Sequence, residues 1–372
     1  MLKVFCAPSR YTQGQHATEQ LGSEMHKLGL DGPALIVAGR SAIRLLSETW
    51  ARTFAEVEMR YEVFAFAGEC TAAEISRGSC AAQTAAARVV IGAGGGKVLD
   101  TARAIASALE LPVVNCPTIA SSDAPCSALS VIYSEAGAVD EYRIYRRNPD
   151  LVLVDTAVIA QSPRRFLVAG MGDALATWFE AKVCVDGRVK NMRGGASTRS
   201  ALALAELCYK TLLANGAGAI EALQSRVSNE ALERLVEANT LLSGLGFESS
   251  GLAAAHAIHN GLTTAPGTHH YMHGEKVAFG LLSQLMLESQ PSTVVEEVLA
   301  FSDQVGLPIT FDEIGIANPS RELLQTIAVR ATAPGETIHN EPIPVTPQLV
   351  AEAMRAADAA GAVFRRSRPS LS

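Results

Sequence analysis

The chain is notable first for what it lacks. No stretch approaches the roughly 18 consecutive apolar residues of a membrane helix, so no span of a bilayer is expected. Its seven cysteines, Cys6, Cys70, Cys80, Cys116, Cys126, Cys184 and Cys208, are scattered, odd in number and never spaced as Cys-x-x-Cys. That usage fits thiols kept reduced inside a cell rather than a disulfide framework or a zinc ribbon. Basic residues are not in surplus: 31 Lys and Arg face 38 Asp and Glu, for a formal net charge of −7. With no basic stripe, nucleic acid is excluded as an expected partner, and the Arg365, Arg366, Arg368 group reads as a solvated tail. Lys3 and the polar PSRYTQGQ segment argue against a secretory signal. A cytoplasmic protein without membrane or nucleic-acid partners is the expectation.

A chain of 372 residues, 48% of them hydrophobic, exceeds what one core usually organises and has ample material for two. In the first part, short apolar or β-branched runs begin at Ala34, Tyr61, Arg88, Pro112, Ser127 and Leu151 and are interleaved with helical patterns. Such alternation predicts parallel pairing in an α/β domain, whose ligands bind beyond the carboxyl ends of the strands. Past about Gln161 the strand signal fades and long helical stretches follow. The predicted organisation is an α/β domain over residues 1–161 and an all-helical domain over 162–372, divided near Ser162 and Pro163.

Chemistry concentrates in three segments. Five of the eight histidines, His256, His259, His269, His270 and His273, fall within HAIHNGLTTAPGTHHYMH. His256 and His259 share a helix face at a spacing of three, and a second helix starting at His273 can present that residue to the same point. Imidazole is a common zinc ligand and an open catalytic site needs about three protein ligands. The segment supplies no third one, although Glu248 and Glu275 are near in sequence; surface or capping histidines are the competing interpretation. The second segment is the glycine run Gly94, Gly95, Gly96 with Lys97 and Val98, directly after a strand and before a helix. Bare backbone at a helix start suits a pyrophosphate, or it serves only as a tight turn. It is neither a Walker A motif nor an ordinary G-x-G-x-x-G fingerprint. The third is the hydroxyl-rich loop from Thr118 to Ser127, which carries Asp123 and which turn formers alone could also explain.

Taken together, GGGK-x-x-DT at Gly94, TIASSDAPCSALSVIY, GMGDALATWFEA, GFESSGLAAAHAIHNGLT and HGEKVAFG resemble the glycerol dehydrogenases of the iron-containing, metal-dependent alcohol dehydrogenase superfamily. The likeness runs over most of the chain. It implies a dinucleotide domain joined to a helical domain with the active site in the cleft between them, one zinc ion per chain, NAD, and a homo-oligomer, often an octamer. By the same resemblance the metal ligands fall on Asp173, His256 and His273. Asp173 is placed near the start of a helix, and Thr177 stands where iron-using relatives carry a further histidine. Cofactor contacts fall on Gly94, Gly95, Gly96, Lys97, Val98, Thr118, Ser121, Ser127, Leu129 and Tyr133. Asp123 is implied to contact substrate, and His259 to act as a proton relay or outer-sphere residue, whereas His269 and His270 match no ligand position. Relatives usually place an aspartate after the first nucleotide-domain strand to hold the adenosine ribose; this chain has Val37-Ala38-Gly39-Arg40. Loss of that acid with an arginine alongside makes NADP an alternative cofactor.

The implied reaction oxidises a small polyol, glycerol to dihydroxyacetone, the metal lowering the pKa of a secondary hydroxyl before hydride passes to nicotinamide. Other hydroxyketone or hydroxy-acid dehydrogenases share these requirements. A dehydroquinate synthase-like lyase shares the architecture but needs several basic residues to grip a phosphorylated substrate, and around the metal motifs Lys276 stands almost alone.

Overall fold

The computed structural model describes residues 1–135 and 139–367; Arg368 of the presumed tail lies outside them. Two compact units emerge, one made of Cys6–Phe166 with Glu221–Gly244, the other of Met1–Phe5, Leu167–Ile220 and Leu245–Ser372.

The first unit is built on strands β1 (Tyr11–Gly14), β2 (Ala34–Ala38), β3 (Tyr61–Ala65), β4 (Val89–Gly94), β5 (Val113–Pro117), β6 (Leu129–Tyr133), β7 (Val139–Ile144) and β8 (Leu151–Asp155). Helices α1 (Leu21–Lys27), α2 (Arg40–Glu56), α3 (Ala72–Thr84), α4 (Gly96–Ala108) and the short α5 (Thr156–Ile159) connect or follow them. Six strands form one parallel sheet in the order β1-β8-β5-β4-β2-β3. Strands β2, β4, β5 and β8 are buried at every position, which is why they read as continuous apolar runs rather than alternating ones. Trp50 and Phe54 of α2 are fully buried with Ile36 and Ile91 in the core on one face of the sheet. The chain goes from β2 outward to β3 and then crosses back to β4, so the strand order reverses between β2 and β4. Their carboxyl ends, Ala38 and Ala93, are in register there, at the kind of switch point where open α/β sheets bind ligands.

One strand departs from expectation. The run beginning at Ser127 forms β6, which pairs antiparallel with β7 in a separate two-stranded sheet. Only residues 134–138 separate the two, too few for the crossover that a parallel pair requires. The polar, exposed β7 carried no strand signal of its own.

Helices α6 (Arg164–Asp186), α7 (Arg199–Gln224), α8 (Glu230–Glu237), α9 (Ser243–Ser250), α10 (Ala254–Leu262), α11 (His273–Leu287), α12 (Ser292–Val305), α13 (Arg321–Ala331) and α14 (Pro347–Ser367) make up the rest, with a π-helical turn at Ala238–Leu242. Among the described residues none is long and apolar enough to cross a membrane, and no two of the cysteines form a disulfide. Arg365 is not part of a solvated tail: α14 buries Val350, Ala353, Met354 and Ala357, and its terminal Arg365 pairs with Asp303 and with Glu313 at 2.8 Å.

In the second unit, three helices approach so closely that their backbones touch. A Cβ at Gly274 on α11 would lie 1.7 Å from the Ala169 carbonyl oxygen of α6, and one at Gly172 would lie 2.3 Å from the Gly274 carbonyl. A Cβ at Gly280 on α11 would lie 2.4 Å from the Ala255 carbonyl of α10. No flexible side chain can give way at these points. Gly274→Ala is therefore expected to lower stability by roughly 1–3 kcal/mol or more through overpacking, read as a fall in the thermal or denaturant midpoint; an unchanged midpoint would show that α6 and α11 separate at little cost.

Candidate metal centre and nucleotide loop

The close packing of α6, α10 and α11 brings Asp173, His256 and His273 together, with one ligand atom from each lying within 4.8 Å of the others. Asp173 is not near a helix start but ten residues into α6, its carboxylate fully buried. The helix runs unbroken through Gly170 and Gly172, and Gly172 serves the contact with α11. Asp173 Oδ1 faces His273 Nε2 at 3.0 Å and His256 Nε2 at 3.4 Å. Two imidazoles keep the Asp173 carboxyl well below its ordinary range even though burial opposes this. For His256, burial opposes the charged form, but Glu180 and Asp173 win and raise its pKa well above the ordinary value.

These distances suit a cation. Zinc bound tetrahedrally at about 2.0–2.1 Å separates neighbouring ligand atoms by roughly 3.3–3.4 Å, and the two nitrogen-to-carboxylate distances lie close to that edge. One carboxylate and two imidazoles form a donor set for zinc or another first-row metal. The His273 side chain is 42% exposed, so the cluster opens on one side, as a catalytic site requires.

The remaining histidines separate clearly. His259 is half-buried among its neighbours: its Nε2 meets His273 Nδ1 at 3.0 Å and its Nδ1 meets Asn260 Oδ1 at 3.1 Å. Burial, followed by the positive charges of His273, Lys276 and His256, lowers its pKa well below the usual value, so it is neutral. Asn260 passes the chain on to Glu336, which pairs with Arg330. His269 and His270 are exposed. Of the sequence-adjacent acids, Glu248 faces Arg193 at 3.9 Å, and Glu275 accepts the Met272 N–H at 2.7 Å, which caps α11. Thr177, one turn after Asp173, is fully buried.

Three side chains absent from the sequence reading hold the start of α10. Glu180 Oε1 accepts the N–H groups of Ala253 (2.8 Å) and His256 (3.1 Å). Glu341 Oε1 accepts that of Ala254 (3.0 Å), and Gln284 Oε1 that of Ala255 (2.9 Å). These are the orphan donors of a helix start, satisfied from distant parts of the chain.

In the sheet unit, the glycine run joins β4 to α4, with Gly95 as the N-cap in extended conformation. A Cβ at Gly94 would lie 2.7 Å from Val98 Cβ, and one at Gly95 would lie 2.8 Å from Ile119 Cδ1. The loop is thus confined between its own helix and the Thr118 segment, whose N–H reaches the Gly94 carbonyl at 3.1 Å. Lys97 is half-exposed, pairs with Glu69, and lies 5.1 Å from the Tyr133 ring centroid. Ser127 is buried and donates to the Ala124 carbonyl, while Leu129 and Tyr133 lie on β6. Ser121 is half-buried in the same loop. Buried Arg103 anchors that loop through the Ala124 carbonyl at 2.7 Å and pairs with Asp100 at 3.3 Å. Burial pushes the Asp100 carboxyl up to about 6 against the effect of Arg103. From the other side, Asn239 donates to the Ala120 carbonyl, and the Ser243 hydroxyl donates to Asp123 Oδ2 at 2.9 Å. Asp123 is therefore a buried carboxylate fixed in a braced loop.

The comparisons with known proteins agree with this arrangement. Residues 8–156 match the family model described as iron-containing alcohol dehydrogenase. A glycerol dehydrogenase of Citrobacter freundii is 50% identical over 97% of this chain and 98% of its own. A glycolaldehyde reductase of Halobacterium salinarum is 46% identical over 97% and 98%. The crystal structure of the Schizosaccharomyces pombe glycerol dehydrogenase superposes with a TM-score of 0.94 at 36% identity, covering 98% of this chain and 92% of that one. A sheet unit with a glycine loop at its switch point, and a helical unit with a carboxylate and two imidazoles, define a metal- and nicotinamide-dependent oxidoreductase. The chain belongs to the iron-containing alcohol dehydrogenase family, and it is an alcohol dehydrogenase.

The helix-start network makes a pH-dependent prediction. Burial, then the charge of Glu288, pushes the Glu341 carboxyl up to about 9. A raised folded-state pKa gives stability that is complete below the unfolded value of roughly 4.3 and is lost as pH rises through about 9. Glu341→Gln keeps an oxygen for Ala254 N–H and cannot ionise. Denaturant unfolding should show the variant close to wild type near pH 5 and increasingly more stable than it up to pH 9; parallel curves would contradict the assignment.

Proposed function

We propose that the enzyme oxidises glycerol to dihydroxyacetone with a nicotinamide cofactor and one zinc ion per chain, and reduces small hydroxyketones or hydroxyaldehydes in reverse. The observation that carries this reading is the convergence of Asp173, His256 and His273, in a chain half identical to a glycerol dehydrogenase over nearly its whole length. The similarity to a glycolaldehyde reductase extends the substrate class to small hydroxy-carbonyl compounds. A cation held by the three ligands supplies Lewis acidity that lowers the pKa of a substrate hydroxyl.

The protein's own groups have distinct tasks. Neutral His259 accepts a hydrogen bond from His273 Nδ1–H, which leaves Nε2 of His273 as the ligand atom, while its own Nδ1–H is held by Asn260 Oδ1; it serves as the outer-sphere or proton-relay residue of the site. Asp123 binds a second substrate hydroxyl, a reading supported by its fixed carboxylate and by the family resemblance. The loop of Gly94, Gly95, Gly96, Lys97 and Val98 takes the cofactor pyrophosphate at the N-terminus of α4, with Thr118, Ser121, Ser127, Leu129 and Tyr133 completing the cofactor contacts. In this reading residues 1–161 serve the dinucleotide and 162–372 the metal, and the enzyme works as a cytoplasmic homo-oligomer.

A second cofactor reading rests on the end of β2. Gly39 is the N-cap of α2, no acid lies in its first turn, and Arg40 and Arg44 are exposed there. Without a carboxylate to repel it, a 2′-phosphate is tolerated, so NADP is included with NAD. The lyase reading finds no comparable support: Lys276, beside the cluster, is buried and its pKa is lowered by that burial.

Asp173→Ala and His256→Ala are each expected to lose bound metal and essentially all turnover of glycerol. Metal analysis alongside initial rates checks this, and a metal-free double variant with full activity would refute it. Comparing kcat/KM for NAD and NADP settles the cofactor: if NADP is used, Arg40→Ala should lower its kcat/KM about tenfold or more while sparing NAD. A strong wild-type preference for NAD would make Arg40 irrelevant.

A further inference from the structure

We propose that Glu180 is the positioning residue of the metal centre: it fixes both the location and the tautomer of His256. The proposal rests on the metal reading above and deepens it. Glu180 lies seven residues after Asp173 on α6, two turns along and on the same face. One helix thus contacts both nitrogens of one imidazole: Asp173 Oδ1 is 3.4 Å from His256 Nε2, and Glu180 Oε2 is 2.6 Å from His256 Nδ1.

The carboxylate of Glu180 is completely buried, and its hydrogen bonds come from three donors. Oε1 receives two backbone N–H groups, of Ala253 and of His256 itself, and Oε2 receives the ring. A group that only accepts, at 2.6 Å from Nδ1, requires the proton to be on Nδ1. With Nδ1 committed to Glu180, Nε2, on the side of Asp173, is the nitrogen that would give up its proton to a cation and offer it a lone pair. The same side chain holds the His256 backbone, so ring and main chain are fixed together. Carboxylate-to-imidazole contacts of this kind orient metal ligands and raise their basicity.

Glutamine cannot reproduce the arrangement. If its oxygen keeps the two backbone donors, its NH₂ faces Nδ1 and forces the proton to Nε2, which removes the ligand lone pair. If its oxygen keeps Nδ1–H, its NH₂ opposes two N–H groups. Glu341 and Gln284 cap the same helix start without touching the ring, so they separate helix capping from imidazole control.

The test is the affinity for Zn²⁺ alone, measured by competition with a chelator on folded full-length protein. Glu180→Gln should bind about 10- to 100-fold more weakly, while Glu341→Gln stays within a few-fold of wild type. Equal affinity of Glu180→Gln and wild type overturns the proposal, as does an equal loss in both variants, which would make Glu180 a helix cap only. Failure of wild type to bind Zn²⁺ overturns instead the metal reading. A measurement without any variant covers the case in which Glu180→Gln does not fold: long-range ¹H–¹⁵N spectra of histidine-labelled, zinc-loaded protein should show His256 protonated at Nδ1, and protonation at Nε2 would refute the role.

Discussion

The site depends on backbone contact between helices where no side chain intervenes. Gly172 and Gly274 let α6 and α11 meet carbonyl to Cα, and Gly280 does the same for α11 and α10. A helix pair separated by ordinary side chains has its axes 8–10 Å apart. Short side chains such as Asp and His then span the remaining gap with difficulty. With the backbones in contact, an aspartate from the middle of one helix reaches histidines near the starts of two others. The glycines therefore have a functional consequence through packing, although none of them touches substrate or metal.

Burying a carboxylate as fully as Asp173 is costly unless charge and hydrogen bonds compensate. Here compensation comes from two imidazoles, and the cost explains how electrostatics is distributed around the cluster. Acids accumulate at the start of α10, where Glu180 and Glu341 accept the N–H groups that the helix itself leaves without partners. His259, surrounded by positive groups, stays neutral. The sheet unit handles its buried charge differently, with Asp100 and Arg103 paired inside the fold and spent on bracing the loop that carries Asp123.

Much of this was legible in the sequence, for identifiable reasons. Strands β2, β4, β5 and β8 lie inside a parallel sheet, so their apolar runs were continuous and easily read. Edge strand β1 and hairpin strand β7 are polar, because they need not be covered on both faces, and they left no trace. His256 and His273 stood out by density of a rare residue type. Asp173 emerged only through family resemblance, since one carboxylate among 38 acidic residues has no local signature. Glu180 falls within a quoted motif, but its partner is 76 residues away, and its role exists only once α6 and α10 are packed. The glycines of α6 and α11 carried no signal for the same reason: their function is a tertiary contact.

Anomalous diffraction from crystals soaked in Zn²⁺, recorded above and below the zinc absorption edge, tests the central claim most directly. The account predicts one strong peak per chain within about 2.0–2.2 Å of a carboxylate oxygen of Asp173 and of Nε2 of both His256 and His273. A peak on other residues, or coordination through His256 Nδ1 with Glu180 displaced, would contradict it.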